Sequence, residues 1–347
     1  MSAKLPFTCD YANGAHPDVM RRLMETNDIY TAGYGLDEYT ESAAKKIRAA
    51  CCAPDADVFL LVGGTQTNAT VIDALLKSYQ GVIAAQSGHV SVHEAGAIEA
   101  GGHKVLTMPH TNGKISASDL ESLMQSFWSD DTHDHMVMPG MVYISQPTEY
   151  GTLYTLSELT DISAVCRRYE LPLYVDGARL AYALACPEND VTLSDLARLC
   201  DVFYIGGTKC GTLFGEAVVI PKHGYIPHFF TIVKQHGALL AKGRLLGVQF
   251  DALFTDGLYD KIGQAAIQAA NMIVDKLNER GIETCYGSPT NQIFFKLSEE
   301  AYEKLQSVAD VGIWQRCDAG QVIVRCVTSW STTPGDAQAL CRALEEL

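Results

Sequence analysis

Two stretches hold the residues best placed to do chemistry: Leu171-Pro-Leu-Tyr-Val-Asp176-Gly-Ala-Arg179 and Asp201-Val-Phe-Tyr-Ile-Gly-Gly-Thr-Lys209. Each is a short apolar run ending near one ionisable residue among small ones, the pattern of a buried parallel strand that delivers a functional group at its C-terminal end. Open α/β sheets bind ligands there. A carboxylate on one strand and a lysine on a later one suit a pyridoxal phosphate (PLP) site. Lys209 would form the Schiff base, Asp176 would keep the pyridine nitrogen protonated, and the ring would act as electron sink. The plain alternatives are a turn-forming or helix-capping Asp and a solvated loop lysine.

Other residues fall at similar places. Asp57-Val-Phe-Leu-Leu-Val62 reads as a strand running into Gly63-Gly64-Thr65-Gln66-Thr67-Asn68 and then a helix over 69–79. Free amides at that helix start would favour a phosphate. The spacing is neither a dinucleotide fingerprint nor a P-loop. The strand 81–85 leads to Ser87-Gly88-His89 and Glu94; His89 could cover a cofactor ring, act as a base, or be structural. The strand 141–145 ends in Gln146-Pro-Thr148-Glu149. Arg325 interrupts a run of β-branched residues and needs a partner, either a substrate carboxylate or a structural carboxylate. Ser126 to His135 holds His and Asp at metal-like intervals but reads as a solvated loop, so no metal is expected.

These positions need a scaffold. Strand and helix signals alternate from 57 to 220, which predicts an α/β fold: a mainly parallel sheet covered by helices on both faces. Long helical patterns follow over 229–254 and 257–281, then strands near 292–297, 312–314 and 321–327, a smaller C-terminal α+β domain. The expected division is an arm and helices over 1–50, a large domain over 51–245 and a small one over 246–347. At 347 residues, 47% hydrophobic, the chain has apolar material for such cores. A net charge of −15 argues against nucleic acid or anionic lipid as partners. No apolar stretch reaches membrane-spanning length and none opens the chain as a leader, so a cytoplasmic protein is expected. The 11 cysteines show no CxxC pairs and are read as reduced.

Taken together, Tyr34-Gly35-x-Asp37, Gly64-Thr65-x-x-Asn68, His89 with Glu94, Asp176-Gly-Ala-Arg179, the lysine segment, and Val233-Lys-Gln-x-Gly237 with Ala241-x-Gly243 resemble the PLP-dependent threonine aldolases. These belong to the β-eliminating lyase group with the fold type I of aspartate aminotransferase. The resemblance implies retro-aldol cleavage of a β-hydroxy-α-amino acid, L-threonine or L-allo-threonine, to glycine and an aldehyde. It implies Lys209 as the Schiff-base lysine, Asp176 as the pyridinium partner, and His89 stacked on the ring near the substrate hydroxyl. Gly64 and Thr65 would hold the phosphate, and Gln66, Arg179 and Thr208 would also bind the cofactor. Arg179 and Arg325 would clamp the substrate carboxylate. Tyr34 and Lys234 would reach a neighbouring subunit's site, in a homodimer or homotetramer. The chain departs from the family where Thr208-Lys209-Cys210-Gly211 replaces Ser-Lys-Gly-Leu and where Glu149 stands for a histidine. That carboxylate becomes a candidate base. β-Elimination, transamination or racemisation on the same cofactor, and a scaffold without activity, are the competing readings.

Overall fold

In the computed structural model, which describes residues 4–347, the alternating segments form one seven-stranded sheet. The strands are β1 (Asp57–Leu61), β2 (Gln80–Ala85), β3 (Lys104–Met108), β4 (Met138–Ser145), β5 (Leu173–Asp176), β6 (Val202–Gly206) and β7 (Glu216–Ile220). Their spatial order is β1-β7-β6-β5-β4-β2-β3. All run parallel except β7, which is antiparallel to β1 and β6. Strands β4 to β7 are almost wholly buried because both faces are covered, hence their unbroken apolar sequences. Ile144, Val175 and Ile205 pack on one face against helices that include Leu180–Ala185 and Leu258–Glu279. Tyr143, Tyr174 and Tyr204 point to the other face, towards Val71 and Ile72 of helix Gly64–Leu75.

A second, antiparallel sheet follows: β8 (Gln292–Ser298), β9 (Gly312–Cys317) and β10 (Gln321–Val327), ordered β9-β10-β8. Helices Glu299–Gln306 and Pro334–Glu345 and the long helix Leu258–Glu279 complete its core. Leu5–Pro6 pairs in parallel with Ala309–Asp310 as a separate two-stranded sheet, and the Phe7 carbonyl accepts from the Val327 amide of β10 (2.8 Å), so the N-terminal segment is anchored beside this sheet before it turns towards the large one. Among the described residues no helix is long and apolar enough to cross a membrane.

Three segments differ from the sequence reading. The helical pattern over 229–254 splits into Phe229–Gln235 and Arg244–Leu253, because Gly237 at φ 65° ends the first and the residues from Ala238 to Gly243 continue no helix. The helix expected over 69–79 begins at Gly64 and ends at Leu75, its start set by Gly63 in extended conformation. Helix Ala117–Ser129 takes in the first residues of the expected loop at Ser126 to His135.

Candidate active site

The C-terminal ends of β1, β2, β4, β5 and β6 converge on one rim, and each carries a group singled out in the sequence. Asp176 is the last residue of β5 and is buried. Gly177 is required next to it: a Cβ there would lie 2.0 Å from the carbonyl oxygen of Tyr204. The Asp176 carboxylate accepts hydrogen bonds from the hydroxyls of Tyr204 (2.5 Å) and Tyr143 (2.7 Å), the Ala178 amide (3.0 Å) and the Asn68 carboxamide (3.1 Å). Burial opposes its charge, yet His89 and these donors hold its pKa below the ordinary value. It is an anion prepared for a cationic partner.

The Asn68 carboxamide continues the network. Its Nδ2 also donates to Oε1 of buried Glu94 (2.7 Å), its Oδ1 accepts from Tyr174 (2.8 Å), and Glu94 Oε1 lies 2.7 Å from Nδ1 of His89. Asp176 and His89 are thereby positioned by a single chain of bonds. The short helix His89–Val92 starts directly after β2.

Glu149 follows β4 and turns back into the rim. Its Oε1 accepts from the His89 amide (3.0 Å) and Ser145 Oγ (2.9 Å). Burial, and after it the charge of Asp176, push its pKa above the ordinary carboxylate value. Lys209 follows β6 through Gly207 and Thr208. Burial, then the Arg179 guanidinium, lower its pKa, which favours the neutral, nucleophilic amine.

Two adjoining clefts of about 240 and about 590 Å³ share Tyr11, His89, Glu149, Arg179 and Lys209. The first is completed by Gly64, Thr65, Asp176, Ala178, Thr208 and Glu216, the second by Trp314, Arg325 and other residues of the C-terminal sheet. The helix behind Gly64 has no side-chain cap, so its leading amides are open to an anion. With those amides, the Thr208 hydroxyl, ionised Asp176 and the Lys209 amine in one cleft, the donor set fits PLP.

The two arginines differ. Arg179 already holds a carboxylate: Nε and Nη2 donate to Asp10 at 2.7 and 3.1 Å, and Asp10 accepts a further bond from Asn291 (2.9 Å). Burial raises the cost of charge on Asp10, but Arg179 and Lys209 bring its pKa below the ordinary value. Arg325 has no such partner among the described residues; one guanidinium nitrogen reaches the Thr8 carbonyl at 3.5 Å. Three expected residues lie elsewhere. The Gln66 side chain accepts from the Val62 amide (3.3 Å). Lys234 sits over the Tyr34 ring, 4.5 Å from its centroid, and neither lines the chain's own cleft.

Asp10, Asn68, Tyr143, Tyr204, Glu216 and Trp314 escaped assignment from sequence. Asn68 had a signal, one helical turn after Gly64. Buried Glu216 opens β7 and accepts from the Gly207 amide (3.1 Å); burial pushes its pKa up to about 8.

The chain matches the model of the family described as Beta-eliminating lyase over residues 14–305. It is 31% identical to the low specificity L-threonine aldolase of Pseudomonas sp. (strain NCIMB 10558) across 307 residues, covering 87% of this chain and 86% of that one. The Leishmania major threonine aldolase structure superposes with a TM-score of 0.95 at 42% identity, covering 98% of each chain. A Listeria monocytogenes structure described as a putative L-allo-threonine aldolase shares the fold at TM-score 0.78 and 18% identity, over 99% of this chain and 96% of that one.

Proposed function

From the chain's membership of the β-eliminating lyase family, and from the cleft described above, we propose a working site for PLP-dependent cleavage of threonine to glycine and acetaldehyde. The enzyme is a PLP-dependent lyase with fold type I architecture. One observation carries the assignment of roles: Lys209, Asp176, His89 and Glu149, from four separate strand ends, line one cleft that opens towards Arg325.

Bound PLP supplies an electron sink for the pair released when Cα–Cβ breaks. Lys209 would present the uncharged amine that condenses with the cofactor's aldehyde, with loss of water. Asp176, held ionised by His89 and two tyrosine hydroxyls, would pair with the pyridine nitrogen. The amides of Gly64 and Thr65 and the Thr208 hydroxyl would hold the phosphate, and His89 would cover the ring. Arg325 takes the substrate carboxylate in its fork. Arg179, occupied by Asp10, supports the carboxylate end through its charge and orders the loop that carries Tyr11. The Glu149 carboxylate accepts the β-hydroxyl proton. Its raised pKa makes it a stronger base than a solvent-exposed carboxylate.

Tyr34 and Lys234 form an exposed pair near Tyr30, which is fully exposed, and Leu36, which is 73% exposed. This face meets a second copy and lends both residues to the neighbour's cleft, in a homodimer or homotetramer. All eleven cysteines are unpaired, as suits the reducing cytoplasm. Acetaldehyde release from L-threonine and L-allo-threonine by PLP-loaded protein tests the reaction. Release lost in Lys209→Ala supports it, and a fully active variant refutes the assignment of Lys209.

A further inference from the structure

The β9–β10 pairing is regular except at one residue. Gly312 faces Arg325, Ile313 faces Val324, and then Gln315 faces Ile323, leaving Trp314 as the extra residue of a β-bulge. A bulge re-aims a side chain that regular alternation would place otherwise. Here the aromatic ring is brought against Arg325, with the guanidinium carbon 5.6 Å from the ring centroid. Directly across from Arg325 stands Gly312, where an added Cβ would meet only the Arg325 carbonyl oxygen, at 3.8 Å. Arg325 is thus bare towards β9, faced by Phe294 of β8 on its other side, and covered by Trp314 on a diagonal.

Trp314 is itself fixed. Its ring makes edge contacts with Phe294 (5.1 Å between centroids) and Tyr150 (5.6 Å), and Tyr150 packs on Tyr286 at 4.6 Å. Tyr150 follows Glu149 in the chain. The cluster therefore joins the loop behind β4 to the C-terminal sheet, and Trp314, Arg325 and Glu149 all line the outer cleft. Arg325 is half-buried and makes no ion pair among the described residues, and burial, then the nearby Arg179, disfavour its charge. A long side chain with no fixed partner has several rotamers to lose when it grips a ligand.

We propose that Trp314 is a positioning residue: its bulged, edge-packed ring holds the Arg325 guanidinium by its face and leaves the donor edge free for the amino acid's carboxylate. The inference rests on the reading of Arg325 as the carboxylate anchor and extends it to Trp314, which acts through Arg325. Cation–π contact of this kind is worth a factor of about 5–30 in affinity. The cluster also ties the anchor to Glu149, so that carboxylate and proton acceptor keep a fixed separation.

The test uses PLP-loaded enzyme and three variants, Trp314→Leu, Trp314→Phe and Gly312→Val. Glycine binding is followed by the change in cofactor absorbance, and KM and kcat are measured with L-threonine. Threoninol, which lacks the carboxylate, serves as the comparison ligand. The expected result for Trp314→Leu is a glycine dissociation constant and a KM raised together by about 5–30-fold, with kcat within about twofold and threoninol binding unchanged. Trp314→Phe recovers most of the affinity, and Gly312→Val weakens glycine by crowding the bare side of Arg325. Unchanged glycine affinity in Trp314→Leu overturns the inference, as does an equal loss for threoninol, which would mark a general packing role. Glycine affinity unaltered in Arg325→Lys would instead refute Arg325 as the anchor, and the inference with it.

Discussion

Replacing Glu149 by Gln separates its hydrogen bonding from its basicity. Glu149 Oε1 accepts from the His89 amide at 3.0 Å and from Ser145 Oγ at 2.9 Å, and a carboxamide oxygen in the same volume accepts both. What the variant loses is the proton acceptor. A positioned general base contributes about 10²–10⁴-fold, or about 2.7–5.4 kcal/mol of barrier. The expected result is a kcat for L-threonine lowered by that factor with KM nearly unchanged. Stability should move the other way. Burial and Asp176 raise the folded pKa of Glu149 above its reference value of 4.5. A raised carboxyl favours the folded state at low pH, and that advantage is lost as pH rises from 4.5 through the folded pKa. At pH values above the folded pKa wild type carries the full penalty and the Gln variant carries none, so there its Tm should equal or exceed wild type's. The pH–rate profile gives a further check: the acidic limb lies above the ordinary carboxylate range in wild type and is absent in Glu149→Gln. A kcat within about threefold of wild type, with the acidic limb intact, would refute Glu149 as the base.

Asp10→Asn should destabilise the fold by about 3–5 kcal/mol, because the buried Arg179 guanidinium loses its ionic partner; a urea titration measures it, and an unchanged midpoint contradicts the argument. Glu216→Gln should gain stability over wild type as pH rises from about 4.5 to about 8, the interval between its reference and folded pKa values; thermal melts at pH 5 and pH 9 test this, and a gap that does not widen speaks against it. Asp176→Asn should release cofactor at least tenfold faster in dialysis, an order-of-magnitude figure for losing one charge-assisted bond of about 1.5–3 kcal/mol. Mixing inactive Tyr34→Ala with inactive Lys209→Ala should restore part of the activity if Tyr34 serves a neighbour's cleft; no recovery in verified mixed oligomers would contradict that arrangement.

The strand ends were legible because burial imposes a simple code: an unbroken apolar run, then one charged or small residue where the strand meets the rim. Asp176, Lys209 and Glu149 stood out for that reason. Their partners did not. Tyr143 and Tyr204 look like ordinary β-formers, and only the pairing of β4, β5 and β6 aims their hydroxyls at Asp176. Asp10 and Arg179 are 169 residues apart and meet because the N-terminal segment pairs with Ala309–Asp310 and bonds to Val327, a long-range contact without local signal. Trp314 reads as a strand residue until the register slips at it. The break between Phe229–Gln235 and Arg244–Leu253 was missed because apolar periodicity persists across a turn that Gly237 makes possible.

The most direct measurement is to reduce the PLP-loaded protein with borohydride, digest it and locate the cofactor by peptide mass. The account predicts a single labelled peptide, with PLP on Lys209, and no label after Lys209→Ala. Label on another lysine, or a loaded active protein with Lys209 unmodified, would contradict it.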